Sequence, residues 1–345
     1  MTTRPLLEIT DLEVTYWGRS LMGVGGKPFH AVRGANLSIR AGETLGLVGE
    51  SGSGKSSIAN AVLGLVKASG GSIRFGDVEL AEMRTRYPSA IRSQIQAVFQ
   101  DPYSSLNPSM TVEAIVTEPL RVHTTMDRAA RRTRAIELLK LVSLSEEHLD
   151  RHPHQFSGGQ RQRIAIAAAL ALQPRLIVLD EPVSALDVST QNQIINLLYE
   201  RRDEFGIAYL MIAHDLALVH HISDRIAVMY LGHIVEEGPS DRVYHAPAHP
   251  YTSALLDAVP LLDPAAQRRR RAARKVAPAL DAPRLSATGC PYQNRCPHVM
   301  PRCRTEMPPA FAIDGGGTAA CFLHAPDAGP ARVSRQPARK EPAAP

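Results

Sequence analysis

Long apolar runs, tryptophan and cysteine are all scarce in this 345-residue chain. The longest stretch of small apolar residues, Ile164 to Leu172, falls far short of the roughly 20 residues that a membrane-spanning helix needs. Residues 1–13 mix Arg4, Glu8 and Asp11 with apolar side chains and contain no signal-peptide core. A chain that stays in the cytosol is the expectation. No internal repeat is visible. The four cysteines, Cys290, Cys296, Cys303 and Cys321, all fall within 32 residues, which leaves the first 289 without any. In a reducing cytosol such a cluster points to metal ligation before disulfides.

Basic charge is also missing from most of the chain, despite a net charge of +5. From residue 264 onward there are 14 Lys and Arg against 5 Asp and Glu, whereas residues 1–263 carry 25 against 29. The body is therefore mildly acidic and the basicity sits in the tail. Nucleic-acid binding needs positive charge on a structured face, so it is not expected.

What is present is a pattern of short apolar runs. Leu7, Ile9, Leu12 and Val14 alternate with polar residues as in a half-buried strand, with an irregularity near Asp11. Leu21 to Pro28 reads as a Gly-rich loop, and Leu37 and Ile39 precede a turn at Ala41-Gly42-Glu43. Leu45 to Val48 is a strand running into glycines, and Ile58, Val62, Leu65 and Val66 follow at helical spacing. Asp127 is placed to cap a helix whose apolar face is Ala135, Leu138, Leu139 and Val142. Continuous apolar runs at Leu176–Leu179, Tyr209–Ala213 and Ile226–Leu231 indicate buried parallel strands with helices on both sides.

The chemistry begins at Gly49-Glu50-Ser51-Gly52-Ser53-Gly54-Lys55-Ser56, which fits the phosphate-loop pattern with a strand before it and a helix after it. Glycines let backbone N–H groups curl around phosphates, the helix N-terminus adds partial positive charge, and Lys55 adds a full one. The Ser56 hydroxyl suits Mg²⁺, a hard cation that takes oxygen ligands. A second buried strand ends in Asp180-Glu181. Asp180 is expected to hold the Mg²⁺ shell and Glu181 to polarise an attacking water, since phosphoryl transfer asks mainly for positioning and charge neutralisation.

Between these motifs stands Phe156-Ser157-Gly158-Gly159-Gln160-Arg161-Gln162-Arg163, about 20 residues before Asp180. Here the chain resembles the ABC ATPase family. The resemblance implies a P-loop NTPase (RecA-like) α/β core, an antiparallel β subdomain, an α-helical subdomain at about 101–160 and a small Cys-rich C-terminal extension. It also implies ATP sandwiched in a dimer, with Ser157, Gly158, Gly159 and Gln160 reaching the γ-phosphate held by the other subunit. Gln100 resembles the loop glutamine that reaches Mg²⁺ and couples to the membrane subunit. Asp187, in Ser184-Ala185-Leu186-Asp187, resembles the segment crossing the dimer interface, and His214 the switch histidine on the γ-phosphate. Tyr16 resembles the aromatic that stacks on adenine, with Trp17 as an alternative, and Ser57 joins the nucleotide-binding set beside Ser56. Lys55, Asp180, Glu181 and His214 are all present, so ATP hydrolysis is expected, with Glu181, His214 and Lys55 as the catalytic set. Ala168 stands in the signature helix where relatives often carry arginine.

Three stretches resemble the oligopeptide/dipeptide (and nickel) uptake subfamily: Gln100-Asp101-Pro102-Tyr103-Ser104-Ser105-Leu106-Asn107-Pro108, Glu181-Pro182-Val183-Ser184-Ala185-Leu186-Asp187, and His249-Pro250-Tyr251-Thr252. The subfamily's C-terminal extension carries the cysteine pattern, with intervals here of five, six and seventeen residues between Cys290, Cys296, Cys303 and Cys321. Four thiolates suit a [4Fe–4S] cluster, which some relatives hold there. Zinc and free thiols are the alternatives. The implied organisation is a nucleotide-binding domain over 1–262, an Arg/Pro-rich linker over 263–286, the Cys-rich extension over 287–325 and a disordered tail over 326–345. The Arg268 to Lys275 run reads as part of that linker, with contact to anionic lipid as the alternative.

The implied partners are a second ABC ATPase subunit, in a heterodimer, two transmembrane permease subunits and an extracytoplasmic substrate-binding protein. The implied location is the cytoplasmic face of the cell membrane. A nickel importer, or a soluble ABC ATPase of a non-transport complex such as phosphonate-cleaving machinery, is the alternative. The cargo is not written in the chain, because selectivity lies in the other subunits.

Overall fold

The computed structural model describes residues 4–18, 27–83, 87–101, 105–258 and 288–326. Most of the expected Gly-rich loop at 21–28 lies outside these residues, as do the linker at 263–286 with its Arg268 to Lys275 run, residues 102–104, and the tail from 327.

Two sheets organise the chain. The alternating N-terminal segment forms β1 (Leu7–Trp17), which pairs antiparallel with β2 (Pro28–Ile39). The expected irregularity near Asp11 is a bulge. Asp11 takes a φ of 47° and Asn36 holds it twice, accepting from its N–H and donating to its carboxylate, each at 2.9 Å. The chain then enters β3 (Thr44–Val48), buried on both faces, and passes through the glycine loop into α1 (Lys55–Val62). This helix stops before Leu65 and Val66, which the apolar spacing had included. Gly64 adopts φ +69°, and the N–H groups of Gly64 and Leu65 donate back to the Ala61 and Asn60 carbonyls at 3.1 and 2.8 Å, with the Tyr87 hydroxyl also donating to Ala61 at 3.0 Å. Strands β4 (Gly70–Phe75) and β5 (Val78–Glu79) complete a four-stranded antiparallel sheet in the order β2-β1-β4-β5.

After the short α2 (Ser89–Arg92), β6 (Ile95–Val98) returns to the other sheet. Helices α3 (Val112–His123) and α4 (Arg128–Leu141) follow, with Asp127 capping α4 by accepting from the Ala130 N–H at 2.8 Å. The remaining elements are α5 (Gly158–Leu170), β7 (Leu176–Asp180), α6 (Val188–Phe205), β8 (Ala208–Ala213), α7 (Leu216–Ile222), β9 (Arg225–Tyr230), β10 (His233–Pro239), α8 (Ser240–His245), α9 (Pro250–Ala258), β11 (Phe311–Ala312) and β12 (Thr318–Ala319). The eight-stranded sheet runs β11-β12-β10-β9-β3-β8-β7-β6, with the block β9-β3-β8-β7-β6 parallel.

Burial on both faces explains the unbroken apolar runs in β3, β7 and β8. One core packs the helices α3 to α6 against the sheet, and a second joins the antiparallel sheet and α1 to the opposite face. Each fully buried Leu, Ile or Val contributes about 1.5–3 kcal/mol. A third core includes Tyr230, Tyr251, Tyr292, Cys290 and Cys303 and lies under residues 288–326. Through β12, which pairs with β10 at Glu236↔Ala319 and Glu237↔Thr318, that segment is continuous with the main sheet.

Candidate nucleotide site

The parallel strands deliver their C-terminal ends to one edge of the sheet, where an open α/β fold places its ligands. The glycine loop follows β3 there, and its shape depends on Gly54. That residue has φ +111°, and a Cβ on it would lie 2.2 Å from the Ala31 carbonyl. Ser51 and Gly52 are exposed at the rim, while Ser53 and Lys55 are buried. The Lys55 Nζ donates to the Gly49 and Glu50 carbonyls at 2.8 and 3.0 Å and reaches Ser53 Oγ at 3.5 Å. Burial lowers its pKa, while the carboxylates of Glu181, Asp180 and Glu50 oppose that shift. The ammonium thus sits inside the loop with carboxylates on several sides.

Asp180 and Glu181 stand at the end of β7, beside the loop. The Ser56 hydroxyl donates to Asp180 Oδ1 at 3.3 Å, and burial raises the Asp180 pKa against that hydrogen bond. A hydroxyl next to a carboxylate is an oxygen donor set that suits Mg²⁺. Glu181 holds a φ of 49°, which is strained for a side chain of this kind, and its N–H donates to the Ile212 carbonyl at 2.9 Å. Its Oε2 accepts from Gln100 Nε2 at 2.9 Å and lies 3.4 Å from His214 Nδ1. Gln100 and His214, after the ends of β6 and β8 and far apart in sequence, therefore converge on one carboxylate oxygen of Glu181 at the end of β7. A cavity of about 70 Å³, lined by Glu181, Ser184, Gln191 and His214 among others, opens beside it. It has room for water but not for a nucleotide.

Tyr16 lies on the loop's other flank, partly exposed, with its hydroxyl 3.3 Å from Ser57 Oγ, while Trp17 is 72% exposed. The Ser157–Gln160 segment opens α5 as a capping box. Ser157 Oγ accepts from the Gln160 N–H at 3.3 Å, and Gln160 Oε1 accepts from the Ser157 N–H at 3.1 Å. Gly159 is required by contact, because a Cβ there would meet Thr190 Cγ2 at 2.4 Å. Asp187 caps α6, accepting from the Thr190 N–H and hydroxyl at 3.0 and 2.7 Å, and these bonds hold its carboxyl below the usual range. No hydrogen bond among the described residues joins Ser157, Gly158, Gly159 or Gln160 to the glycine loop of the same chain. The structure thus brings Lys55, Ser56, Gln100, Asp180, Glu181 and His214 together and leaves the signature helix outside that group.

Residues 288–326 gather the four cysteines. All are free thiols; Cys290, Cys303 and Cys321 are buried and Cys296 half-buried. Burial pushes the Cys296 thiol up to about 11 and Cys321 up to about 12, and the charge of each neighbouring thiol adds to the shift. The Cys290 N–H donates to the Cys303 carbonyl at 2.8 Å, and the N–H groups of His298 and Met300 point at the sulfurs of Cys296 and Cys303 at 3.4 and 3.5 Å. Backbone donors aimed at sulfur favour thiolates, so the donor set fits a thiolate-bound metal group. Among the described residues, the His, Cys, Asp and Glu ligand atoms mutually within 4.8 Å in groups of three or more are those of His220, Asp241 and His245.

Sequence reading missed how this segment touches the glycine loop. Arg295 Nη1 lies 3.0 Å from both carboxylate oxygens of Glu50, and the Glu50 N–H donates to the Tyr251 hydroxyl at 2.9 Å. Tyr251 belongs to the His-Pro-Tyr-Thr stretch. Glu236, 1% exposed, anchors that stretch by accepting from the N–H groups of Ala248 and His249 at 2.9 and 2.8 Å and pairing with Arg242. The stretch itself was visible in the sequence. The Arg295 contact spans 245 positions and has no local sign.

Comparison with known proteins adds the following. Residues 32–184 match the family described as "ABC transporter", and residues 235–303 match "Oligopeptide/dipeptide transporter, C-terminal region". The oligopeptide transport ATP-binding protein OppF of Escherichia coli is 48% identical over 307 residues, covering 88% of this chain and 92% of that one. The dipeptide transport ATP-binding protein DppF of the same organism is 40% identical over 329 residues, covering 95% and 97%. Among solved structures, the dimeric post-hydrolysis state of the ATP-binding cassette MJ0796 bound to ADP and Pi superposes with a TM-score of 0.60 at 31% identity, covering 68% of this chain and 98% of that one.

Proposed function

The chain belongs to the ABC transporter family as an ATP-binding, ATP-hydrolysing subunit of an oligopeptide/dipeptide importer, and from that premise we propose how its residues do the work. The observation that carries the proposal is the convergence of Gln100 and His214 on the Glu181 carboxylate, beside the Ser56–Asp180 pair.

In this reading the phosphates of ATP take the place of the Gly49 and Glu50 carbonyls that now accept from Lys55. The loop from Ser51 to Gly54 supplies N–H groups to them, with Ser57 beside, and Tyr16 stacks on the adenine. Ser56, Asp180 and Gln100 would hold Mg²⁺, which would supply neutralisation of phosphate charge. Glu181 orients and polarises the attacking water, and His214 holds that carboxylate on one side while facing the γ-phosphate on the other. The strained backbone at Glu181 keeps the carboxylate at this edge without help from the nucleotide.

Among the described residues, the signature helix makes no such contact within its own chain. A Ser157 N-cap followed by two glycines exposes N–H groups that suit a phosphate presented by another subunit. The reading therefore includes a heterodimer with a second ATPase subunit, in which Ser157, Gly158, Gly159 and Gln160 complete the partner's site and Asp187 lies at the interface. An importer ATPase implies permease and substrate-binding partners. The reading puts the subunit peripherally on the cytoplasmic face of the permease, with the Gln100 region facing it; no helix among the described residues is long and apolar enough to cross a membrane. Cys290, Cys296, Cys303 and Cys321 are assigned to a [4Fe–4S] cluster, a group that four thiolates suit, and the N–H groups aimed at Cys296 and Cys303 support thiolate ligation there. Such a cluster supplies cross-linking and redox response, not ATP chemistry.

The importer reconstituted with its permeases in vesicles tests the proposal by peptide uptake and phosphate release. The Lys55→Ala importer is expected to lose uptake and at least about a hundredfold in phosphate release. Native uptake in that variant would overturn the assignment.

A further inference from the structure

Glu50 carries the only carboxylate of the phosphate loop, and two residues from the C-terminal half grip it. Tyr251 takes its backbone N–H at 2.9 Å, and Arg295 meets both carboxylate oxygens at 3.0 Å. Arg295 is held in place. Its side chain is 17% exposed, and it packs against Tyr292 with its guanidinium carbon 5.9 Å from the ring centroid. The rings of Tyr230, Tyr251 and Tyr292 form a mutual cluster with centroids 4.5 to 5.4 Å apart. The Arg295 backbone N–H donates to the Tyr292 carbonyl at 3.0 Å, and the residue precedes Cys296 directly.

Charge gives the contact its consequence. Glu50 belongs to the loop proposed to hold the triphosphate, and the charge of its carboxylate acts on Lys55. An unpaired carboxylate there would repel the nucleotide. A guanidinium whose Nη1 lies 3.0 Å from both oxygens offsets that repulsion and also ties down the loop's second residue.

We propose that Arg295 is a positioning residue of the ATP site: from the cysteine-bearing segment it neutralises Glu50 and tethers the phosphate loop, and so sets the affinity for MgATP. The inference rests on the ATP-site reading above. It gives residues 288–326 a role at the nucleotide, because the segment is built into the sheet through β12 and reaches the loop through one side chain.

The test is titration of the full chain with a fluorescent probe, N-methylanthraniloyl-ATP with Mg²⁺, alongside KM and kcat for MgATP in the assembled importer. Arg295→Met is expected to weaken probe binding and raise KM by about five- to twentyfold, with kcat changed by less than about twofold. Arg295→Lys should recover most of the loss. In a Glu50→Gln background, where no carboxylate needs neutralising, Arg295→Met should change affinity by less than about twofold. A purely structural role predicts the same loss in both backgrounds, and that result overturns the proposal. So does an Arg295→Met protein that binds the probe like the native chain. Arg295→Gln carries the same expectation and decides the case if the methionine variant does not fold. Lys55→Ala separates the two levels. If it binds the probe normally, the ATP-site reading fails. If it abolishes binding while Arg295→Met has no effect, only the present inference fails.

Discussion

The phosphate loop with its strand-end acids and the cysteine-bearing segment at 288–326 meet at Glu50, yet the chain encodes them in opposite ways. The first is contiguous. Eight residues from Gly49 to Ser56 set the loop, two adjacent residues at the end of β7 supply the acids, and the strands on which they ride bury both faces. The second is assembled from a distance. Its strands are two residues long, its cysteines are irregularly spaced, and its anchors come from β10, α9 and the loop itself. Chemistry that needs several donors on one phosphate is concentrated locally, because a helix N-terminus and a turn must be consecutive in sequence. A contact that only tunes such a site can come from any part of the chain.

That contrast can be broken at its anchor. Glu236 joins the two regions, accepting from the N–H groups ahead of Tyr251 while β10 pairs with β12. Glu236→Ala leaves Arg242 and two N–H groups without their buried acceptor. It is expected to cost about 3–5 kcal/mol, read as a fall in the denaturation midpoint. If the loss were under about 1 kcal/mol, the C-terminal region would be hung on the sheet by something else.

Acid should act on the same anchor. Burial pushes His249 down to about 3 and His233 down to about 4, so both stay neutral in the folded chain. The unfolded chain binds these protons near the ordinary value of about 6.5. Stability from this source is therefore complete above that pH and is lost as pH falls toward the folded values. At pH 5 each histidine should have lost about 2 kcal/mol. Denaturation measured from pH 7.5 to 5 should show the fall, and His249→Asn should remove about half of it. A flat profile would mean that His249 is not held neutral beside Tyr251.

The smallest expected effect compares two caps of the same kind. Asp127→Ala and Ser157→Ala should each cost about 1 kcal/mol of stability. Only the serine substitution should also depress turnover in the assembled importer, since only that cap is proposed to face a phosphate. Equal turnover in the two variants would reduce Ser157 to a structural cap.

Particular residues show how much was legible beforehand. The buried strands, the Asp127 cap, the bulge near Asp11 and the order of strand, loop and helix around Lys55 all follow from local pattern. The resemblance to ABC ATPases added Gln100 and His214, whose convergence on Glu181 no spacing could reveal, because each reaches the site from a different strand. The end of α1 was misread because the apolar spacing runs past Gly64, whose left-handed φ lets the N–H groups of Gly64 and Leu65 close the helix, with Tyr87 adding a hydroxyl to the Ala61 carbonyl. Arg295 was missed for another reason. An arginine among cysteines has no period to read, and its meaning appears only when β12 joins β10 and brings the segment over the loop.

The central claim is that Glu181 drives hydrolysis while the loop and Lys55 hold the nucleotide. Glu181→Gln separates the two by keeping the shape of the side chain and removing its charge. The assembled importer carrying it is expected to bind MgATP with near-native affinity and to release phosphate at least about a hundredfold more slowly. Native phosphate release from that variant would contradict the account.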